Sequence, residues 1–206
     1  MKGESKSMER KDAIDMLREK ISDELFSHCL RVEETAVKLA HQHGVDVEKA
    51  SLAGLLHDFG KTMPERVLLE LAVKYDNADY FTQQEPALLH APVGAWLLKY
   101  EMGIDDFELL EAVRYHTTGS EGISLFSKLI YLADFIEPGR SCPGVNRIRE
   151  IVYDDLDTAL LCVVDLTIKY VLDRQKIVHP NSISFRNELI LNLRNKEQEL
   201  QGYGSF

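Results

Sequence analysis

The chain sets a histidine and an aspartate side by side, His57 and Asp58, in the stretch LLHDFGK of residues 55–61. The pair closes an apolar run just before Gly60. A carboxylate held in such a place is costly to bury unless a cation or a donor compensates it. The dipeptide alone would also suit a polar helix end that faces water. His28 lies three residues after Leu25 and four before Val32, on the apolar face of its helix, where an imidazole needs a partner. A core histidine bonded to backbone is the plain alternative. Asp134, in KLIYLADFIEPGR, follows Ile130 by four residues and Leu132 by two. An unpaired carboxylate there would cost several kcal/mol or take up a proton, so a cationic partner is implied. His90 stands at a helix start in LLHAPVGAWLL, and His116 at a helix end in RYHTTG. Imidazole and carboxylate donors together suit divalent first-row metals better than magnesium or calcium, which prefer oxygen alone. The order His28, His57–Asp58, His90, His116, Asp134 is therefore read as a metal-binding set, far more specific than any part of it.

Helices must position these groups. Over residues 24–41, Leu25, Cys29, Val32, Ala36 and Leu39 recur at steps of four and three, the spacing of one helix face. Ser22 or Asp23 can cap the start and Gly44 can end it. Similar patterns predict helices over residues 47–57, 64–73, 92–101, 107–115, 123–136, 156–173 and 183–201. Pro92 and Gly103 bracket one of them. Period-two strands flanked by hairpin signals are missing, so the expected class is all-α, a helical bundle. Residues 139–145 are expected to be a loop between the ligand-bearing half and the C-terminal helices. With no repeat, low-complexity tract or linker, one domain is expected over residues 1–206, its core spanning about 20–190. Residues 1 to about 9 read as a frayed end or an artificial extension.

A chain of 206 residues, 45% hydrophobic and 28% charged, can bury a proper core. Its formal net charge of -10 excludes recognition of nucleic acid through a broad basic face. Positive charge for a phosphate ligand must then be local. Cys29, Cys142 and Cys162 are widely spaced and form no CxxC pair, which fits a reducing compartment. No apolar run approaches the roughly 18 residues of a membrane span, and the polar N-terminus lacks a signal-like stretch. The expectation is a cytoplasmic protein with neither a membrane nor a nucleic acid as partner.

His28, His57 with Asp58, and Asp134 match the H…HD…D signature, and the chain resembles the HD-domain metal-dependent phosphohydrolases. His90, His116, the Lys61 of HDFGK, the stretch ADFIEPGRSCPGV and the closing HPNSISFRN resemble one bacterial branch, the symmetrical diadenosine tetraphosphate hydrolases. The likeness covers residues 25–187. It implies an HD-type helical domain holding two divalent metal ions, commonly iron, bridged by Asp58. His28, His57 and Asp134 would complete one site, His90 and His116 the other. Six ligands are indeed too many for one site that keeps an open position. The same donors also accept manganese, cobalt or zinc. Two cations roughly 3.5–4 Å apart lower the pKa of a bridging water and steady both attacking and leaving oxygens. The implied reaction is hydrolysis of a dinucleoside tetraphosphate into two nucleoside diphosphates, with Asp58 and Lys61 as catalytic residues.

Lys61 and Arg140 are the candidates to neutralise the phosphate chain, and Thr117 and Gly119 to shape its pocket. For these the plain alternatives are solvated charges and a helix-ending turn. A homodimer is implied by the resemblance. A mononuclear HD nucleotidase or phosphodiesterase would need only His28, His57, Asp58 and Asp134. A non-catalytic nucleotide-binding helical module is the rival from another class. His41 and His43 read as helix-capping residues, His179 as a loop histidine, and Trp96 as core or a subunit contact.

Overall fold

The computed structural model describes residues 8–202, so most of the N-terminal segment that reads as a tail lies outside the described residues. Among the described residues there are α-helices and short 3-10 turns but no strand. In chain order the helices are α1 (Arg10–Lys20), α2 (Asp23–His43), α3 (Val47–Leu56), α4 (Glu65–Tyr75), α5 (Tyr80–Gln84), α6 (His90–Tyr100), α7 (Phe107–Tyr115), α8 (Leu125–Ile136), α9 (Val145–Ile151), α10 (Leu156–Asp173) and α11 (Pro180–Gly202). One 3-10 turn, Phe59–Thr62, follows α3, and another, Pro86–Leu88, leads into α6. The all-α class is therefore seen directly.

Side-chain caps start several of the helices. Ser22 Oγ accepts from the Leu25 N–H (3.2 Å) at α2, and Asp46, Asp106 and Ser124 do the same for α3, α7 and α8. Gly44 ends α2 at φ 67°, a left-handed conformation that costs glycine little. The core is formed where α2 packs on α3 and α8, and α7 packs on α6 and α8. Leu39, Leu55, Leu97 and Ile130 are fully buried there.

Two glycines set how closely the site-bearing segments approach. A Cβ at Gly60 would lie 2.1 Å from the His90 carbonyl oxygen, and one at Gly94 would lie 2.9 Å from the Gly60 nitrogen. The turn after Asp58 and helix α6 thus cross backbone to backbone, which only a residue without a side chain permits. That crossing places His90 next to the His57–Asp58 pair.

The structure differs from the sequence reading at the ends and in the short pieces. α6 begins at His90, two residues ahead of Pro92, which falls in the first turn where a missing N–H breaks no helical bond. α11 begins at Pro180, three residues earlier than expected. Periodicity does not announce α1, α5 or α9; α5 and α9 span 5 and 7 residues, too little for a 3.6-residue period to show. No helix among the described residues is long and apolar enough to cross a membrane.

Candidate metal centre

The six side chains of the sequence-derived set converge on one point. His28 comes from α2, His57 from the C-cap of α3, and Asp58 from the residue after it. His90 opens α6, His116 caps the end of α7, and Asp134 lies in the last turn of α8. His57 and Asp58 are 0% and 2% exposed, so the centre sits deep in the bundle.

The Asp58 carboxylate divides the centre in two. Its Oδ2 lies 3.3 Å from His57 Nε2 and 3.8 Å from His28 Nε2, and His28 Nε2 is in turn 3.1 Å from Asp134 Oδ1. Its Oδ1 points the other way, 3.2 Å from His90 Nε2 and 3.4 Å from His116 Nε2. Oδ1 is buried and makes no hydrogen bond among the described residues. A buried carboxylate oxygen without a donor is costly, and a cation resolves it.

The histidines are turned so that Nε2 faces inward. His57 Nδ1 donates to the Gly54 carbonyl (2.8 Å), His90 Nδ1 to that of Ala87 (2.9 Å), and His116 Nδ1 to that of Val113 (2.7 Å). Each acceptor lies three residues back at a helix or turn end, where the hydrogen-bond ladder leaves carbonyls unused. With Nδ1 protonated, the neutral ring offers a lone pair at Nε2. His90 and His116 bring those atoms to 3.1 Å, and His28 and His57 to 3.3 Å. Facing lone pairs repel unless a proton or a metal ion lies between them. The donor set therefore fits divalent metal binding, with three triads in ligand reach: His28, His57 and Asp58; His57, His116 and Asp134; and Asp58, His90 and His116.

His28 is braced differently. Inside a helix its i−3 carbonyl is engaged in the ladder, so its Nδ1 donates instead to Glu137 Oε1 (3.2 Å). Glu137, 2% exposed, also accepts from Arg31 Nε (2.6 Å) and the Gly139 N–H (2.5 Å). Sequence reading misses both Glu137 and Arg31. Glu137 follows Asp134 by three residues in a visible FIEPGR, but nothing local says that it folds back onto α2.

Charge states follow from these contacts. Burial opposes ionisation of Asp58, yet His57, His116 and His90 hold its carboxyl well below the usual range. Burial likewise opposes charge on Asp134, and the bond from His28, with His57 and Arg140 nearby, keeps that carboxyl low. For Glu137 burial is again outweighed, here by Arg31, Gly139 and His28. Burial takes His116 down to about 4, so it is neutral near pH 7. His57 is lowered by burial but raised by more through Asp58, and the net shift is upward. The buried Cys29 thiol is pushed up to about 12 by desolvation, so it stays protonated and offers no thiolate.

Two cations lean on the acidic ligands. Lys61 Nζ donates to Asp58 Oδ2 (2.7 Å), and Arg140 reaches both the backbone oxygen (3.0 Å) and the carboxylate of Asp134. A cavity of about 540 Å³ opens beside the centre, lined by His116, Thr117, Asp134, Arg140 and residues of α10. Thr117 Oγ1 in its wall is buried and bonded to nothing among the described residues. Gly119 is elsewhere: at φ +62° it packs on Phe185, where a Cβ would come within 2.2 Å of the ring, and it lines none of the cavities near the centre. His179 is in a loop as expected, but buried, with Nε2 3.1 Å from Asp79 and 3.2 Å from Thr82 Oγ1. Trp96 is half-buried and stacks on Tyr75 at 4.2 Å.

The chain is similar to known proteins over most of its length. A family model described as HD domain matches residues 25–139, a span that holds all six side chains. A Bacillus subtilis protein named bis(5'-nucleosyl)-tetraphosphatase, symmetrical, is 33% identical over 89% of this chain and 98% of its own length. A Staphylococcus aureus protein of the same name is 36% identical over 84% and 90%. A Clostridium acetobutylicum crystal structure, described as a predicted HD superfamily hydrolase involved in NAD metabolism, superposes with a TM-score of 0.85. It is 38% identical, over 90% of this chain and 98% of that one.

Proposed function

This chain belongs to the HD domain family, and on that premise we propose that it hydrolyses diadenosine tetraphosphate symmetrically, giving two molecules of ADP. The observation that carries the reading is the Asp58 carboxylate, whose two oxygens face two separate histidine pairs. His28, His57, Asp134 and Asp58 Oδ2 would hold one divalent ion, and His90, His116 and Asp58 Oδ1 a second. Iron is the proposed metal. Such a pair supplies Lewis acidity toward phosphoryl oxygens and an acidified water. The mononuclear alternative leaves His90 and His116 without a task, although both turn Nε2 toward Asp58.

The chain's own groups prepare the site for a polyanion. Asp58 and Asp134 stay ionised and His116 neutral near pH 7, the states that ligands require. Lys61 and Arg140 stand at the rim, 42% and 44% exposed, already beside the carboxylates. With metal charge taking over that neutralisation, they are proposed to grip the phosphate chain, Arg140 through its planar fork. The free Thr117 hydroxyl can donate to a phosphoryl oxygen at the cavity wall. ADP leaves as a stable anion, so no covalent nucleophile or strong general acid is needed. A cytoplasmic location is proposed from the wide spacing of Cys29, Cys142 and Cys162, and a homodimer from the family resemblance.

The test is product chromatography after metal-reconstituted protein is incubated with several dinucleoside polyphosphates. ADP as the single product of diadenosine tetraphosphate is expected. ATP with AMP as the main pair would overturn the regiochemistry.

A further inference from the structure

Cleavage at the middle of a four-phosphate chain breaks a bond that lies two phosphates from each nucleoside. The protein must then seat two nucleosides, and the large cavity beside His116 and Asp134 accounts for one of them. A second cavity, of about 250 Å³, lies on the far side of the same wall. The two share Thr117, Thr167 and Tyr170. α10 is the ridge between them: Val163 and Leu166 face the larger space, Ile168 and Val171 the smaller, and Thr167 and Tyr170 stand on the crest. Thr117, next in sequence to the ligand His116, faces that crest from the other side.

The smaller cavity suits an apolar guest. Leu88, Ile168, Val171, Ile177 and Val178 form much of its wall. Several of the polar groups around it are already paired. Ser182 Oγ donates to the Thr118 carbonyl (2.9 Å), His179 is engaged by Asp79, Thr82 and the Asn181 N–H, and Lys176 Nζ donates to Glu85 (2.6 Å). The last pair ties the loop after α10 to the segment before the Pro86–Leu88 turn, closing the cavity from two sides. Lys176, the cation that lines it, is held by Glu85, so the wall presents mainly apolar surface to a guest. A heteroaromatic base would bury apolar area and lose no hydrogen bond that the walls had offered it.

We propose that this smaller cavity seats the base of the second nucleoside of the dinucleoside tetraphosphate. The larger cavity takes the first nucleoside, and the phosphate chain passes between Thr117 and the α10 crest, where the unpartnered Thr117 hydroxyl meets it. The proposal rests on the hydrolase reading above. Because apolar contact rather than base-edge hydrogen bonding holds the second base, this seat tolerates adenine and guanine alike.

Ile177→Trp tests it, since Ile177 is 42% exposed in a loop and the larger side chain fills the cavity without disturbing the core. Calorimetric titration of the metal-loaded wild-type protein with ADP should give two sites per chain, and the variant should retain one. Its KM for diadenosine tetraphosphate should rise about tenfold, the scale of one lost base contact. One ADP per wild-type chain, or an unchanged KM in the variant, would overturn the second seat while leaving the hydrolase reading intact. If the wild type fails to hydrolyse diadenosine tetraphosphate, it is that reading which fails.

Discussion

Replacing Glu137 by glutamine exchanges one carboxylate oxygen for an amide nitrogen and should cost the centre its metal. Glu137 takes two donors on each oxygen: Arg31 Nε (2.6 Å) and the Gly139 N–H (2.5 Å) on Oε2, and His28 Nδ1 (3.2 Å) and Arg31 Nη2 (3.4 Å) on Oε1. A glutamine side chain in that place has one carbonyl oxygen and one amide nitrogen to offer. The two short bonds at the Oε2 position hold the oxygen there, which leaves the amide nitrogen facing His28 Nδ1. Two donors cannot share that contact, so His28 must put its proton on Nε2, the atom aimed at Asp134 (3.1 Å) and the proposed metal. Loss of such a bracing partner typically weakens metal binding about 10–100-fold, or roughly 1.4–2.7 kcal/mol. Chelator-competition titration and elemental analysis would read the change, with circular dichroism as a check on folding. The position held by His90 and His116 should be affected less, because its rings are braced by their own backbone. Wild-type affinity for both metals in a folded Glu137→Gln protein would refute this account of His28.

Asp58→Ala removes the one carboxylate shared by both positions, so metal content and activity should fall together; retention of two metals on elemental analysis would exclude the bridging role. Lys61→Ala should keep its metal and lose roughly two to three orders of magnitude in kcat, as expected for one lost charge-stabilising contact; wild-type kcat and KM would return Lys61 to a surface ion-pair role. Gly60→Ala forces a Cβ to 2.1 Å from the His90 carbonyl, a backbone clash that no rotamer relieves. A loss of about 1–3 kcal/mol on chemical denaturation is expected, together with loss of metal from the His90 position. The net upward shift of His57, which burial alone would lower, comes from Asp58. In the metal-free protein that ion pair stabilises fully below the ordinary histidine value of 6.5, and its contribution fades as pH rises through the raised value. Metal competes for the same nitrogen, so metal affinity should rise with pH across that window with net proton release, measurable by titration in buffers of different ionisation enthalpy.

All six candidate ligands are legible in the sequence because each is a metal-type side chain in an apolar helical context, and buried polar groups are rare enough to stand out. The brace of His28 is not. His57, His90 and His116 find their acceptors three residues back, so their orientation is a local property, whereas His28 and Glu137 are 109 residues apart in sequence. Gly119 shows a different limit: a glycine close to a ligand suggests a phosphate-shaping turn, and its positive φ and the Phe185 ring add a packing reason for glycine there that no local pattern announces. The α10 ridge is also hidden, since its residues are spaced as ordinary core and only the tertiary fold shows open space on both flanks. Short helices such as α5 escape because tertiary packing rather than periodicity makes them.

Three of the four imidazoles carry their own splint. A histidine at the end of a helix, tethered through Nδ1 to the carbonyl three positions earlier, arrives with its tautomer and heading already chosen, whatever protein surrounds it. For an engineer that is a portable part: the last turn of α3 or α7 could be grafted onto a foreign bundle and still present Nε2 in the same direction. His28 cannot travel in this way. Moving it means moving α2 with Arg31 and the end of α8 with Glu137 as one block, so a minimal copy of this centre would begin from that pair of helices and add the self-oriented turns around it.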